Sequence, residues 1–301
     1  MWFFLAITGY FLLAVVLVLD KFILSKSVAK PVVYTFYSTV FLLAAFGVAP
    51  FGVDLLQGAD YWWAIASGFT FGFGMWTMFC AVKEGEASHI DPFIGAVTTI
   101  ATYALSIFLL NENLSSAQAA GVMVVSFGTL LLAFEKSKTH HGFHAGFLWA
   151  IASGIFFAIS SIAAKYLYDH HTFLTGLVWS RGTAGIFGLC LLFLPSVRHA
   201  IAHTPHKKAK TYAKRHARSI VVANKVLSVI GIIMLHYSIS IGSVTIINAL
   251  AGAQYVFMFI MIYGLTKCLP KVFREYFTKH ELAVETIAIV LVTLGSLFFV
   301  L

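Results

Sequence analysis

Charge is what this chain has least of. Only 11% of its 301 residues are Asp, Glu, Lys or Arg, against 60% that are hydrophobic. A soluble domain carries about 25% charged residues, so a water-facing globule of this length is excluded. Disorder is excluded by the same apolar content. Acidic residues are scarcer than basic ones, twelve against twenty. Cysteine is scarce as well: Cys80, Cys190 and Cys268 are scattered in or beside apolar runs. That spacing fits neither a disulfide framework nor a metal knuckle and reads as small apolar core residues.

What is present is long hydrophobic runs. A membrane span needs about 20 predominantly apolar residues. Ten candidate helices appear: Trp2–Leu19, Val32–Phe51, Tyr61–Val82, Ile90–Leu110, Ala117–Phe134, Gly146–Tyr168, Phe173–Leu194, Ile220–Ser240, Gly242–Leu265 and Leu282–Leu301. Polar and turn-forming residues separate them, most weakly at Gly242, where the eighth and ninth runs nearly fuse. The first run has no basic leader and no small-residue cleavage site, so a retained helix is expected rather than a signal peptide. The expectation is an all-α integral membrane protein with ten transmembrane helices.

The cations are unevenly placed. Eighteen of the twenty Lys and Arg fall in odd-numbered loops, whereas even-numbered loops hold Asp54, Asp60, Glu112 and Asp169, with Lys165 as their one nearby cation. Cytoplasmic loops carry the Lys/Arg excess, which puts the odd loops in the cytoplasm and both termini outside a multi-pass cell membrane. The net charge of +8 then reads as orientation. The basic stretch at about 198–218 lacks the aromatic interleaving of single-strand binders, so contact with anionic lipid headgroups is expected there and nucleic acid is not.

The two halves resemble each other. Gly9-Tyr10 through Asp20-Lys21-Phe22 matches Ser153-Gly154 through Ala164-Lys165-Tyr166 at an offset of 144, which sets Tyr37 opposite Arg181. Gly85–Asp91 parallels Gly242–Asn248 at an offset of 157, and Gly121…Gly128 parallels Ala288…Gly295 at 167. Residues 1–138 and 139–301 are therefore read as two five-helix repeats. Five is odd, so the second copy is inverted, an architecture of secondary transporters that hold substrate near the midplane between repeats. Paired halves make a self-sufficient monomer the expectation.

Glu86-Ala87-Ser88, Pro92, Asn111-Glu112-Asn113-Leu114 and Gln118…Gly121…Gly128 form a recognisable pattern. In these motifs the chain resembles the EamA-type transporters of the drug/metabolite transporter superfamily. The resemblance implies two five-helix repeats, with the fifth and tenth helices at the periphery and the others around a central cavity. It also implies a basic residue early in the second and seventh helices. Arg181 matches in the seventh, and Tyr37 departs from it in the second. Many members place both termini in the cytoplasm, the reverse of the charge reading here.

Charged residues inside a bilayer usually line a cavity, because they cost at least about 2.5–3.5 kcal/mol on insertion scales. Arg181 lies roughly eight residues into its run, about 12 Å along a helix, and an Arg there can clamp a carboxylate or phosphate bidentately. The other substrate-binding candidates are Lys21, Lys165, Tyr37, Trp76, His236, Asn248, Gln254 and Tyr255; Asp20 and Asp91 are coupling candidates. Each also has a structural alternative: helix-end anchoring for Lys21 and Lys165, interhelical hydrogen bonding for His236, Asn248 and Gln254, and packing for the aromatics. The small residues Gly68, Gly72, Gly121, Gly128, Ala288 and Gly295 are read as packing seams.

Secondary transport of small metabolites by alternating access follows as the functional expectation, with amino acids, sugars or other small organic compounds as solutes and the cations favouring anionic ones. No cofactor, metal or enzymatic activity is expected. Two alternatives stand beside it. One is a lipid-linked substrate flippase or membrane scaffold. The other is a metalloenzyme built on His140-His141…His144 and His199…His203…His206.

Overall fold

The computed structural model describes residues 1–23, 30–84, 87–133, 145–202, 211–268 and 279–300; side chains at 20–23, 87–89, 133, 145, 211–222 and 279–281 lie outside that description. Among the described residues all regular structure is helical. In chain order the helices are α1 (Trp2–Ile23), α2 (Pro31–Val40), α3 (Asp60–Glu84), α4 (Ala87–Leu109), α5 (Ser116–Ala133), α6 (Ala145–His170), α7 (Phe173–Cys190), α8 (Pro195–Ala202), α9 (Thr211–Ile241), α10 (Val244–Ala249), α11 (Ala251–Cys268) and α12 (Lys279–Leu297). Among the described residues, eight segments are long and apolar enough to cross a membrane: Trp2–Leu19, Pro31–Phe51, Asp60–Glu84, Ile90–Leu109, Gly146–His170, Phe173–Phe193, Ala223–Ile241 and Val244–Cys268. The fifth and tenth sequence runs correspond to shorter apolar helices, Ser116–Leu132 and Leu282–Leu297.

Local chemistry explains the boundaries. Pro31 opens α2, where a missing N–H costs nothing. The helix then tightens into a 3₁₀ segment over Phe41–Phe51, which ends at Gly52 with φ 96°. Thr172 caps α7 by accepting a hydrogen bond from Thr175 N. At the weak boundary near Gly242, Ser243 accepts from Ile246 N at 3.0 Å and starts α10. The ninth run is itself broken, since α10 stops at Ala249 and α11 begins at Ala251. The basic stretch holds more helix than its composition suggests, because α8 enters it and α9 starts at Thr211, ahead of the apolar residues.

Small residues set the helix packing. The α3–α6 seam carries reciprocal bonds, Ser67 Oγ to Ser160 O at 3.1 Å and Ser160 Oγ to Ser67 O at 2.8 Å, and Ser153 Oγ donates to Gly74 O at 2.9 Å. On the α1–α9 seam Gly9 lies against Leu235 and Gly231 O. Along α3–α7, a β-carbon at Gly68 would overlap Thr183 and Ala184, and one at Gly72 would overlap Phe187. The α5–α12 seam joins Gly121 to Gly295 O and Gly128 to Leu291 and Ala288 O. Residues four or seven apart on one face let helix backbones approach closely, so the α3–α7 and α5–α12 seams follow small-residue pairs read from the sequence, whereas the α3–α6 and α1–α9 seams are not among the pairs read there.

Candidate functional site

Arg181 sits near the middle of the Phe173–Phe193 segment and is only 8% exposed. Its guanidinium carbon lies 4.4 Å from the centroid of the Phe71 ring on α3. A cation over an aromatic face is held by the ring quadrupole. Around it stand Tyr168 on α6 and His236 on α9, both close enough to act on it electrostatically. Tyr168 and His236 are joined to each other, Tyr168 Oη to His236 Nδ1 at 2.8 Å. Arg181 Nε is buried with no hydrogen-bond partner, and no carboxylate pairs with this Arg among the described residues. A guanidinium keeps its charge in proteins, and an unpaired buried charge carries a penalty of several kcal/mol. Four helices thus surround an uncompensated cation with aromatic rings and neutral polar groups, a setting that can receive an anionic group.

The remaining candidates are dispersed. Asn248 Nδ2 donates to Thr102 Oγ1 at 3.0 Å, and Thr99 Oγ1 donates to Asn248 O at 3.2 Å. One turn further along α4, Ser106 Oγ and Thr245 Oγ1 lie 2.9 Å apart, and Thr245 Oγ1 also donates to Glu112 Oε2. Asn248 therefore belongs to a hydrogen-bonded ladder between α4 and α10. Tyr255 Oη donates to the backbone carbonyl of Asp91 at 2.7 Å, joining α11 to the start of α4 beside Gly95. Gln254 is half-buried and has no polar partner among the described residues. Lys165 pairs with Asp169 one turn away at 2.8 Å. Trp76 packs in the apolar cluster of Phe36, Phe187, Leu191 and Val197. Tyr37, opposite Arg181 in the repeat alignment, is 43% exposed and meets the edge of Phe36.

The side chains of Asp20 and Lys21 lie outside the described residues, as do His140, His141, His144, His203 and His206. Phe71 and Tyr168 escaped the sequence reading. Phe71 is one of 29 phenylalanines, and Tyr168 lies at a helix end where a belt role is the simpler assignment.

No family model matches the chain. Over 106 residues, 34% of this chain, it is 26% identical to a protein of Escherichia coli (strain K12) named "Probable amino-acid metabolite efflux pump". The match spans 36% of that relative's length. A solved structure titled "Crystal structure of protein" superposes over 100% of this chain and 98% of that one, with a TM-score of 0.67 and 20% sequence identity. That likeness is one of fold.

Proposed function

We propose that this chain is a secondary transporter of small metabolites that works by alternating access and binds an anionic group of its solute at Arg181. The observation that carries the reading is the buried Arg181 guanidinium, unpaired among the described residues and ringed by Phe71, Tyr168 and His236 at the middle of the span. A charge so costly to bury is retained where a ligand offsets it. The partial match to a named efflux pump agrees with a transporter rather than an enzyme.

The proposed architecture is ten spans in two inverted repeats, residues 1–138 and 139–301, with α5 and α12 as peripheral spans. Contacts at equivalent positions support it. The offset of 144 carries Gly9 onto Ser153, and the offset of 157 carries Gly74 onto Gly231; Gly9 meets Gly231, and Ser153 meets Gly74. Likewise the offset of 167 carries Gly121 onto Ala288 and Gly128 onto Gly295. Gly121 meets Gly295 while Gly128 meets Ala288, so each contact maps onto the other. Chance similarity between apolar helices gives no reason for such paired contacts.

The exception to this symmetry is informative. The seam between α3 and α7 is packed tightly at Gly68 and Gly72, but among the described residues no comparable packing joins its equivalent pair, α9 and α2. Alternating access requires one seam shut and its counterpart open. Lys/Arg bias orients the odd-numbered loops to the cytoplasm. Purified full-length protein tests the binding step by thermal unfolding against small carboxylates and phosphates, each beside its amide or ester. An anion that raises the wild-type midpoint, and that of Arg181→Gln far less, is the expected result. Anions that leave wild type unmoved, or shift the variant equally, would overturn the assignment.

A further inference from the structure

At one end of the bundle the chain leaves α7 through a short 3₁₀ turn, Leu191–Phe193, and doubles back as α8. Leu194 is extended there, with ψ 127°. Val197 faces inward and is fully buried in the cluster of Phe36, Phe187 and Leu191. On its outer side α8 leaves a groove of about 660 Å³ against α7, walled by Ile186, Leu189, Cys190, Phe193 and Ile201. Arg198 completes its lining. Ile186, Leu189, Phe193 and Ile201 are exposed there, at 39–76%. On α7, Ile186 and Leu189 flank the face at which Gly185 and Gly188 pack against α2 and its extension.

Arg198 is what distinguishes this groove from an ordinary lipid-facing surface. Its Nε donates at 2.7 Å to Leu192 O, one of the carbonyls that a helix end leaves open. The bond ties one edge of the exposed guanidinium to the backbone and leaves the other free. Neither terminal amino group has a partner among the described residues. A guanidinium edge left free presents a planar fork suited to phosphate. The next residues in sequence, 199–218, carry six further Lys and Arg.

We infer that this groove binds an anionic glycerophospholipid, with its phosphate on Arg198 and an acyl chain lying between α7 and α8. The chemistry has two parts, and the site offers both. Apolar walls can pack against a hydrocarbon chain that stays within the bilayer. Basic pockets at the ends of membrane helices favour anionic headgroups. Inorganic phosphate would use only the Arg, and a zwitterionic lipid carries a compensating cation into a site that already has one. This site is separate from the one at Arg181.

Native mass spectrometry of the full-length protein tests this with phosphatidylglycerol and phosphatidylcholine of identical acyl chains. At least a tenfold preference of wild type for phosphatidylglycerol is expected. Arg198→Gln should bring that ratio near one, Arg198→Lys should keep an intermediate preference, and Leu189→Trp should lower binding of both lipids by filling the groove. A second readout needs no mutation at Arg198. With Cys80 and Cys268 replaced, phosphatidylglycerol should slow alkylation of the groove residue Cys190 at least fivefold, and inorganic phosphate should not. Equal binding of the two lipids by wild type, unchanged preference in Arg198→Gln, or protection of Cys190 by phosphate alone would overturn the proposal. So would a second copy of the chain protecting Cys190 without added lipid.

Discussion

The guanidinium carbon of Arg181 lies 4.4 Å from the centre of the Phe71 ring, so the two halves of the chain meet at a buried cation and an aromatic face. A cation–π contact contributes about 0.5–2 kcal/mol, at the upper end where it is desolvated. The ring therefore supports the charge without neutralising it. Phe71→Leu keeps apolar bulk and removes the quadrupole. Its expected effect is a loss of about 0.5–2 kcal/mol of ligand-free stability, read as a lowered unfolding midpoint, with the apparent Kd of an anionic solute changing less than threefold. Thermal unfolding and solute titration of the variant against wild type check this.

Arg181→Met makes a sharper distinction. If the Arg is kept for a solute, replacing it with an apolar side chain removes an uncompensated buried charge. The ligand-free protein should then gain on the order of 1–3 kcal/mol and show a raised unfolding midpoint, yet lose stabilisation by anions. A purely structural Arg predicts the opposite sign in the absence of solute.

The α3–α7 seam predicts a steep steric effect. Gly72→Val would place side-chain atoms within the space of Phe187, and Gly68→Val within that of Thr183 and Ala184. Overpacking of a well-packed site costs about 1–3 kcal/mol or more, so both variants should unfold well below wild type. Gly47→Ala, with nothing within 4 Å of the new carbon, should leave the midpoint within a degree or two. Thermal melts of the three proteins side by side make the comparison.

Asn248 predicts a stability effect of modest size. Interhelical hydrogen bonds in membranes average about 0.6 kcal/mol, with a maximum near 1.7. Asn248→Ala removes the bond to Thr102 and should cost about that much, while the solute Kd changes less than threefold. A large loss of solute binding at unchanged stability would return Asn248 to the binding site.

The proposed repeat symmetry names a contact for the proposed opposite state. The offsets carry Gly72 onto Val229 and Phe187 onto Leu43, and Val229 is 55% exposed here. Leu43→Cys with Val229→Cys, in a background lacking the native cysteines, should form a disulfide when solute is supplied and not in its absence. Failure to cross-link in any condition that supports transport would remove the proposed exchange of seams.

Sidedness has its own check. In the same background, Gln57→Cys should react with a membrane-impermeant maleimide in intact cells, and Ser196→Cys only after permeabilisation. Both positions are exposed in the structure. The reverse pattern would invert the orientation taken from the Lys/Arg distribution.

Much of this was legible because hydrophobic patterning and small residues act locally. Arg181 stood out as a charge too deep in its run to be a loop residue. The boundary at Gly242 and the small-residue pairs Gly121/Gly128 of α5 and Ala288/Gly295 of α12 followed from residues whose effect does not depend on distant partners. Other features depend on three-dimensional company. Nothing in Leu250-Ala251 signals the break between α10 and α11, since neither residue is a helix breaker. The α4–α10 ladder uses Thr and Ser, and other residues of these types bond to their own helix, as Thr70 does to Ala66 O. Tyr37 aligns with Arg181 but points outward. Equivalent positions need not have equivalent surroundings when one half is packed against a seam and the other is not.

The measurement that tests the central claim most directly is solute exchange in proteoliposomes. Full-length wild type, Arg181→Gln and Arg181→Lys would be reconstituted at equal density and loaded with the anion selected by thermal unfolding. Wild type should show saturable exchange of that anion and little of its uncharged analogue. Arg181→Gln should lose at least tenfold in kcat/KM, and Arg181→Lys should fall between the two. Exchange of the anion by folded Arg181→Gln at the wild-type rate would contradict the account.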